Sequence, residues 1–298
     1  MIDSRIPVSR ATGIDLGASL IKVATLSPEG SIRFRRLPCS EAEVLGESLR
    51  NPAACIGATG AGATPWLERF APQGTSVREF EAWWVGGELL LEKDGRVPTP
   101  PYLLVSLGTG TSAMRVDAEG VERVGGCALG GGTIAGLAAQ LLDCRDFAGL
   151  VELSRSGSRG GVDLRVGDIY GNRSVEMIGL PGEVTAANLG KLGRAAGAGD
   201  EGPQDAADIA RGLMGLVGEN VALIASHLAT HHQVSEIVFA GSPLSGNEPL
   251  GEIVLRVTAA WGHPARVLDR GEFAGAIGAL CRAYPAARSA MSGSVEGV

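Results

Sequence analysis

The chain has 298 residues, 45% hydrophobic and 20% charged, a globular balance that is neither disordered nor collagen-like. Its 45 glycines are about 15% of the sequence, roughly twice the usual share, and its formal net charge of -7 argues against a surface for nucleic acid or an anionic membrane. No uninterrupted apolar run approaches the roughly 18 residues that span a bilayer, Met1–Arg10 does not read as a signal peptide, and five scattered cysteines without a C-x-x-C read as reduced thiols of a cytosolic protein.

In chain order, Thr12–Asp15 and Leu20–Leu26 read as strands on either side of the turn Leu16-Gly17-Ala18-Ser19. Ser27-Pro28-Glu29-Gly30 is a turn, because Pro presets one backbone angle and Gly takes the strained one. Ser31–Leu37 alternates with period two, as a strand does. Ser40–Asn51 is expected to be a helix with Ser40 as cap and Glu43 three residues on. Ala54–Ile56 is a short strand before Gly57-Ala58-Thr59-Gly60-Ala61-Gly62, and Glu79–Lys93 is a helix that Gly86-Gly87 should weaken. The pattern then repeats: strand Tyr102–Leu107, turn Gly108–Thr111, strand Ser112–Val116, turn Asp117–Gly120, strand Val121–Val124. Two such meanders about ninety residues apart read as an internal duplication.

Gly130-Gly131-Gly132-Thr133 opens an apolar helix to about Leu142, Gly157–Gly161 is a loop, and Val162–Tyr170 holds an unassigned short element. Ala195–Gln204 reads as a flexible loop. Asp205–His232 has helical apolar spacing, followed by strand Glu236–Ala240, helix Leu250–Trp261, strand Ala265–Leu268, helix Gly275–Cys281 and a frayed tail after Pro285. Strands alternating with helices call for an α/β fold.

Several motifs suit anion chemistry. Asp15 at a strand end can hold a hydrated Mg²⁺, Gly17 lets backbone amides approach a phosphate, and Ser19 and Lys22 can donate to it. Taken alone, the plain reading, an ordinary hairpin with an Asp at the turn, is favoured, because D-x-G is common. Gly108-Thr109-Gly110-Thr111-Ser112 is a second glycine-hydroxyl turn, and two such hairpins can clamp one polyphosphate between lobes. Exposed N–H groups at Gly130–Thr133 would favour an anion at a helix start, and Gly241-Ser242-Pro243 follows a buried strand where open α/β sheets bind ligands. Glu79 and Glu81 are equal candidates for a base by spacing, against the plain reading of helix-start acids. Arg123 could hold a carboxylate by its fork. His227 and His231 are one helical turn apart but lack a third metal ligand, and Trp83-Trp84 reads as core or interface packing.

The ordered set Gly13-Ile14-Asp15-Leu16-Gly17, Leu20-Ile21-Lys22, Val77-Arg78-Glu79-Phe80-Glu81-Ala82, Gly108–Ser112, Arg123-Val124-Gly125-Gly126, Gly130-Gly131-Gly132, Asp168-Ile169-Tyr170, Pro181–Asn188, Gly241-Ser242 and Phe273–Leu280 resembles the type II pantothenate kinases. These are the staphylococcal and eukaryotic branch of the actin, hexokinase and acetate-kinase superfold. The resemblance implies two actin-like (ribonuclease H-like) lobes, 11–101 and 102–285, with a nucleotide in the cleft between them and flexible termini at 1–10 and 286–298. It implies ATP, Mg²⁺ and pantothenate as ligands, the first step of coenzyme A synthesis, a cytoplasmic location and a homodimer, with no nucleic-acid or membrane partner. It assigns Asp15, Leu16, Gly17, Ala18, Ser19, Leu20, Ile21 and Lys22 to ATP phosphates, with Asp15 also on the metal. Thr109 and Gly110 form the second phosphate loop. Gly131, Gly132, Thr133, Ile134 and Ala135 line the nucleotide, with Phe147 and Ser242 at the adenosine side. Glu79 is the general base, and Arg123 and Ser106 bind pantothenate. Three departures stand out: Gly17-Ala18-Ser19 where Gly-Gly-Thr is usual, Phe147 where Tyr can occur, and Ser106 where Asn is usual. The alternatives are a same-fold kinase for another small hydroxyl compound, or a nucleotide-binding regulatory protein without turnover.

Overall fold

The computed structural model describes residues 11–50, 55–193 and 205–291. The expected loop Ala195–Gln204, the start of the expected strand at Ala54, the end of the expected helix at Asn51 and the expected flexible stretches 1–10 and 292–298 lie outside the described residues.

The first half is β1 (Ala11–Leu16), β2 (Leu20–Leu26), β3 (Ile32–Pro38), α1 (Ala42–Ser48), β4 (Cys55–Thr59), α2 (Ala63–Phe70), β5 (Thr75–Ser76) and α3 (Glu79–Lys93). Then come β6 (Tyr102–Leu107), β7 (Thr111–Asp117), β8 (Gly120–Cys127), α4 (Gly131–Leu141), α5 (Phe147–Ser156), β9 (Leu164–Arg165), α6 (Val166–Tyr170), α7 (Ser174–Ile178), β10 (Thr185–Ala187) and α8 (Ala206–His231). The chain continues through β11 (Ile237–Ala240), α9 (Glu248–Ala260), β12 (Ala265–Val267), α10 (Ala274–Ala283) and α11 (Ala287–Met291).

The duplication is present as topology. One sheet runs β3-β2-β1-β4-β5 and the other β8-β7-β6-β11-β12. In each, a three-strand antiparallel meander is extended by parallel strands. Period-two alternation then sorts each strand. Ile14, Leu16, Ile21 and Val23 pack with Trp66, Leu67 and Phe70 of α2, while Ala11, Ala24, Leu26 and Ile32 face a core shared with Trp83, Leu90, Ala276 and Ile277. In the second sheet Leu103, Val105 and Leu107 pack with Leu213, Val217 and Val221 of α8, and Tyr102 and Leu104 face the shared core.

That shared core depends on exchanged helices. α3 follows the first sheet but leans on β6 and β8, whereas α10 follows the second and lies on β1 and β4. The two helices cross with backbones nearly touching. A Cβ on Gly86 would sit 1.8 Å from the Ala274 carbonyl oxygen, and one on Gly278 would sit 1.9 Å from that of Ala82. Gly86 is therefore a packing requirement rather than the weak point that helix propensity suggested.

Other departures have local causes. The helix after β3 starts at Ala42 behind a 3₁₀ turn, Cys39–Glu41, and its N-cap is Glu41 with no side-chain cap bond, so Ser40 does not cap it. The expected loop 157–161 contains a 3₁₀ turn, Arg159–Gly161. Arg159 there is largely buried and donates to Asp163 (2.7 Å), Glu219 (2.6 Å) and Thr185 (2.9 Å), fastening this segment to α8. Part of the expected tail is α11, with Ala287 buried and Arg288 paired to Glu92 of α3 at 2.9 Å. α8 is long and apolar enough by composition to cross a membrane, a feature hidden when only uninterrupted runs are sought, but 61% of the apolar window is buried inside the protein.

Candidate active site

The C-terminal ends of β1 and β6 open into one cavity of about 960 Å³, the place where parallel α/β strands present ligands. The turn after β1 carries Gly17, Ala18 and Ser19, and the turn after β6 carries Gly108, Thr109 and Gly110. They meet: the Ser19 and Thr109 hydroxyls are hydrogen-bonded at 2.9 Å across ninety residues of chain. Both turns are pinned from behind. The Cys39 thiol donates to the Gly17 carbonyl at 2.9 Å, and the Thr111 hydroxyl donates to the Leu129 carbonyl at 2.7 Å.

The N-terminus of α4 behaves differently from expectation. The amides of Gly131 and Gly132 donate to the carbonyls of Gly108 (2.8 Å) and Thr109 (3.0 Å). These orphan donors of a helix start therefore hold the second turn in place and are not free for an anion. A Cβ on Gly132 would press the Thr109 side chain at 2.7 Å.

Asp15 is buried, with Lys22 Nζ 3.4 Å from its carboxylate. Burial raises its pKa from 3.8, and the Lys22 charge and hydrogen bond pull it back. The carboxylate lies at the first turn of α10, where a Cβ on Gly275 would be 3.1 Å from it, and the helix dipole favours an anion there. Glu79, at the first turn of α3, lines the same cavity. Its pKa is raised from 4.5, first by loss of water around the carboxyl and then by the Asp15 charge, with Lys22 opposing. Glu81 is spent elsewhere, paired with Arg282 of α10 at 2.9 Å and with Arg78 at 3.4 Å. Of the two acids, Glu79 faces the cavity and Glu81 does not.

At the far end Phe147, Val151, Glu152 and Arg155 of α5 face Ser242, Pro243, Ser245 and Gly246. The Ser242 hydroxyl is buried and has no hydrogen-bond partner among the described residues. Gly241 holds it there at φ +128°, where a Cβ would meet the Leu107 carbonyl at 1.9 Å.

Of the residues expected from sequence, Asp15, Gly17, Ala18, Ser19, Leu20, Lys22, Glu79, Ser106, Thr109, Gly110, Gly131, Gly132, Ala135, Phe147 and Ser242 line the cavity. Leu16, Ile21 and Ile134 do not, because their side chains are committed to the hydrophobic cores. Nor does Thr133, whose hydroxyl accepts from the Gly130 amide and donates to the Ala128 carbonyl. Arg123 is exposed on β8 outside the lining, with Nη2 2.9 Å from where a Gly126 Cβ would sit, next to Ser112, which does line it. Sequence reasoning missed Arg36, Arg155 and Ser245. Arg36 was legible through the alternation of β3, which puts it on the face of Ile32 and Phe34. Among the described residues no group of three or more His, Cys, Asp or Glu is placed to hold a metal, His227 and His231 included.

The Fumble family model matches residues 88–282. The chain is also 32% identical over 268 residues to the type II pantothenate kinase of Staphylococcus haemolyticus, covering 90% of this chain and 98% of that protein. The chain belongs to the type II pantothenate kinase family. The family's enzyme from Oceanobacillus iheyensis is similarly 32% identical over 270 residues, 90% of this chain and 97% of that one. Among solved structures, component A of the Acidaminococcus fermentans (R)-2-hydroxyglutaryl-CoA dehydratase superposes with a TM-score of 0.58 at 17% identity, over 93% and 98% of the two chains. The activator of the Clostridium difficile 2-hydroxyisocaproyl-CoA dehydratase, solved with bound ADPNP, gives 0.56 at 15% identity over 96% and 99%. These share the fold with the family's two actin-like lobes.

Proposed function

We propose that this chain transfers the γ-phosphoryl group of ATP to the terminal hydroxyl of pantothenate, the entry reaction of coenzyme A synthesis. The observation that supports it most is the 2.9 Å contact of Ser19 with Thr109, which sets both glycine turns around one space that Glu79 also faces. The turns cradle the triphosphate with backbone amides and hydroxyls, and Lys22 adds charge. Glu79 takes the proton of the acceptor hydroxyl as its oxygen bonds to the γ-phosphorus. The bond from that phosphorus to the bridging oxygen breaks, and ADP leaves. Ser106 and, from the rim, Arg123 bind the rest of pantothenate.

The oxygen donor set suits Mg²⁺. Asp15 is a single buried carboxylate beside the phosphate cradle, and Mg²⁺ is commonly held by one or two carboxylates together with substrate phosphates. Held there by Asp15, Mg²⁺ would offset phosphate charge. Phe147 and Ser242 receive the adenosine, and a cytoplasmic homodimer completes the reading.

Purified protein with Mg-ATP and pantothenate should release ADP in a coupled assay. ADP release with another polyol but not with pantothenate would replace the acceptor, and ATP binding without release would replace the enzyme by a regulatory protein. Ser242→Ala is a second check. It removes a hydroxyl that has no partner among the described residues, so thermal stability should stay at or above wild type. The KM for ATP should rise about five- to thirteenfold, the worth of one hydrogen bond of roughly 1–1.5 kcal/mol. An unchanged KM would detach Ser242 from the nucleotide.

A further inference from the structure

Six charged side chains line the cavity: Asp15, Lys22, Arg36, Glu79, Glu152 and Arg155. Four are paired. Lys22 lies 3.4 Å from Asp15, and Arg155 reaches Glu152 at 3.2 Å and Glu248 at 2.5 Å. Arg36 and Glu79 are left without an ion pair among the described residues. Glu79 has its part as the proton acceptor, and Arg36 has none.

The register says what surrounds it. Asp15 is opposite Lys22 across β1 and β2, and Lys22 is opposite Arg36 across β2 and β3. On this face Ala11, Leu26 and Ile32 belong to the shared core and so does Ala24, with Phe34 packed against it. The same face turns charged only at its cleft end, with Asp15, Lys22 and Arg36 in one row. Directly opposed residues on one face have Cβ atoms about 4.5–5.5 Å apart, and like charges so placed repel. Two cations side by side, only one of them neutralised by a carboxylate, form a site that is relaxed by an anion lying over both. A break in a local rule of this kind is expected where function requires it.

We propose that Arg36 is a catalytic residue whose guanidinium grips the γ-phosphoryl group as it passes to the acceptor. This rests on the kinase reading above. The planar fork of Arg matches two phosphoryl oxygens, which the point charge of Lys cannot do. The place is the reacting end of the acceptor: Arg36 neighbours Lys22, and Lys22 and Asp15 are the charges that act on Glu79. The carboxylate of pantothenate lies at the opposite end of that molecule from the reacting hydroxyl, so it is not the anion Arg36 meets.

Arg36→Met, with Arg36→Gln as a second variant, tests this. Arg36 is exposed, so both should fold, and unchanged ADP affinity would verify it. The kcat should fall about 10²–10³-fold, the usual loss when one stabilising donor is removed from a transition state, with the KM for pantothenate within about threefold. The preference of the protein for ATP over ADP should shrink in parallel. Retained kcat with a raised KM for pantothenate, and normal turnover of pantetheine, which lacks the carboxylate, would move Arg36 to the acceptor's far end and overturn the proposal. Retained kcat with both KM values unchanged would make it a solvated charge and overturn it equally. Should wild-type protein show no pantothenate-dependent turnover, the kinase reading fails separately, and the ATP-over-ADP ratio still decides whether Arg36 meets a γ-phosphate.

Discussion

Replacing Glu79 by Gln is expected to abolish phosphoryl transfer while leaving nucleotide binding intact. Gln keeps the size and hydrogen-bonding reach of Glu but cannot take a proton, and loss of a positioned general base costs about 10²–10⁴-fold in kcat. Nucleotide affinity should hold because Glu79 sits on the first turn of α3, while the two glycine turns proposed to cradle phosphate join β1 to β2 and β6 to β7. The pH profile gives an independent check. A partly desolvated carboxyl near the Asp15 charge holds its proton to higher pH than an ordinary glutamate at 4.5. The base form is therefore lost as pH falls through that raised value, and the acidic limb of kcat/KM should lie above 4.5. Glu81→Gln should keep that limb and most of the turnover, because Glu81 is held by Arg282 and Arg78. Near-normal turnover of Glu79→Gln would remove it from the chemistry.

Spacing could not choose between Glu79 and Glu81, and the reason is general to this chain. Local order was readable: α3 spans Glu79–Lys93 and β6 spans Tyr102–Leu107 as the apolar pattern implied, and the two meanders stand in equivalent sheets. What period and turn chemistry do not carry is which distant backbone lies beside a residue. Gly86 looks like a helix defect until the Ala274 carbonyl appears against it. Gly131 and Gly132 look like an open anion site until the carbonyls of Gly108 and Thr109 take their amides. The resemblance places Leu16, Ile21 and Ile134 in the ligand set as parts of contiguous motifs, although a strand or helix turns successive side chains to different sides. Arg36 was passed over for the opposite reason: the alternation of β3 gives its face, but it lies seventeen residues beyond the Gly17-Ala18-Ser19 turn, and only the pairing of β2 with β3 brings it beside Lys22.

The crossing of α3 and α10 should be the least tolerant feature of the fold. At Gly86→Val, the new Cβ would fall 1.8 Å from a backbone carbonyl oxygen and 2.9 Å from the Gly278 amide nitrogen. Neither neighbour is a side chain that could swing away, so the helices must separate. Ordinary overpacking costs about 1–3 kcal/mol. Here separation also opens the core around Trp83, Ala276 and Ile277, so a loss of more than about 3 kcal/mol is expected, with Tm lower by about 6–12 °C. Gly136→Ala supplies the opposite sign. That glycine lies within α4, is exposed and has nothing within 4 Å of its would-be Cβ, so Ala should stabilise by about 0.5–1 kcal/mol through helix propensity. Urea midpoints for the two variants would separate close packing from propensity, and an unchanged midpoint for Gly86→Val would contradict the crossing. The same contact bears on chemistry. Glu79 begins α3 and the Asp15 carboxylate rests against Gly275 of α10, so the spacing of the two helices sets the spacing of the proposed base and metal-binding carboxylates. Gly86→Ala, the milder change, should therefore lower kcat by more than it lowers nucleotide affinity.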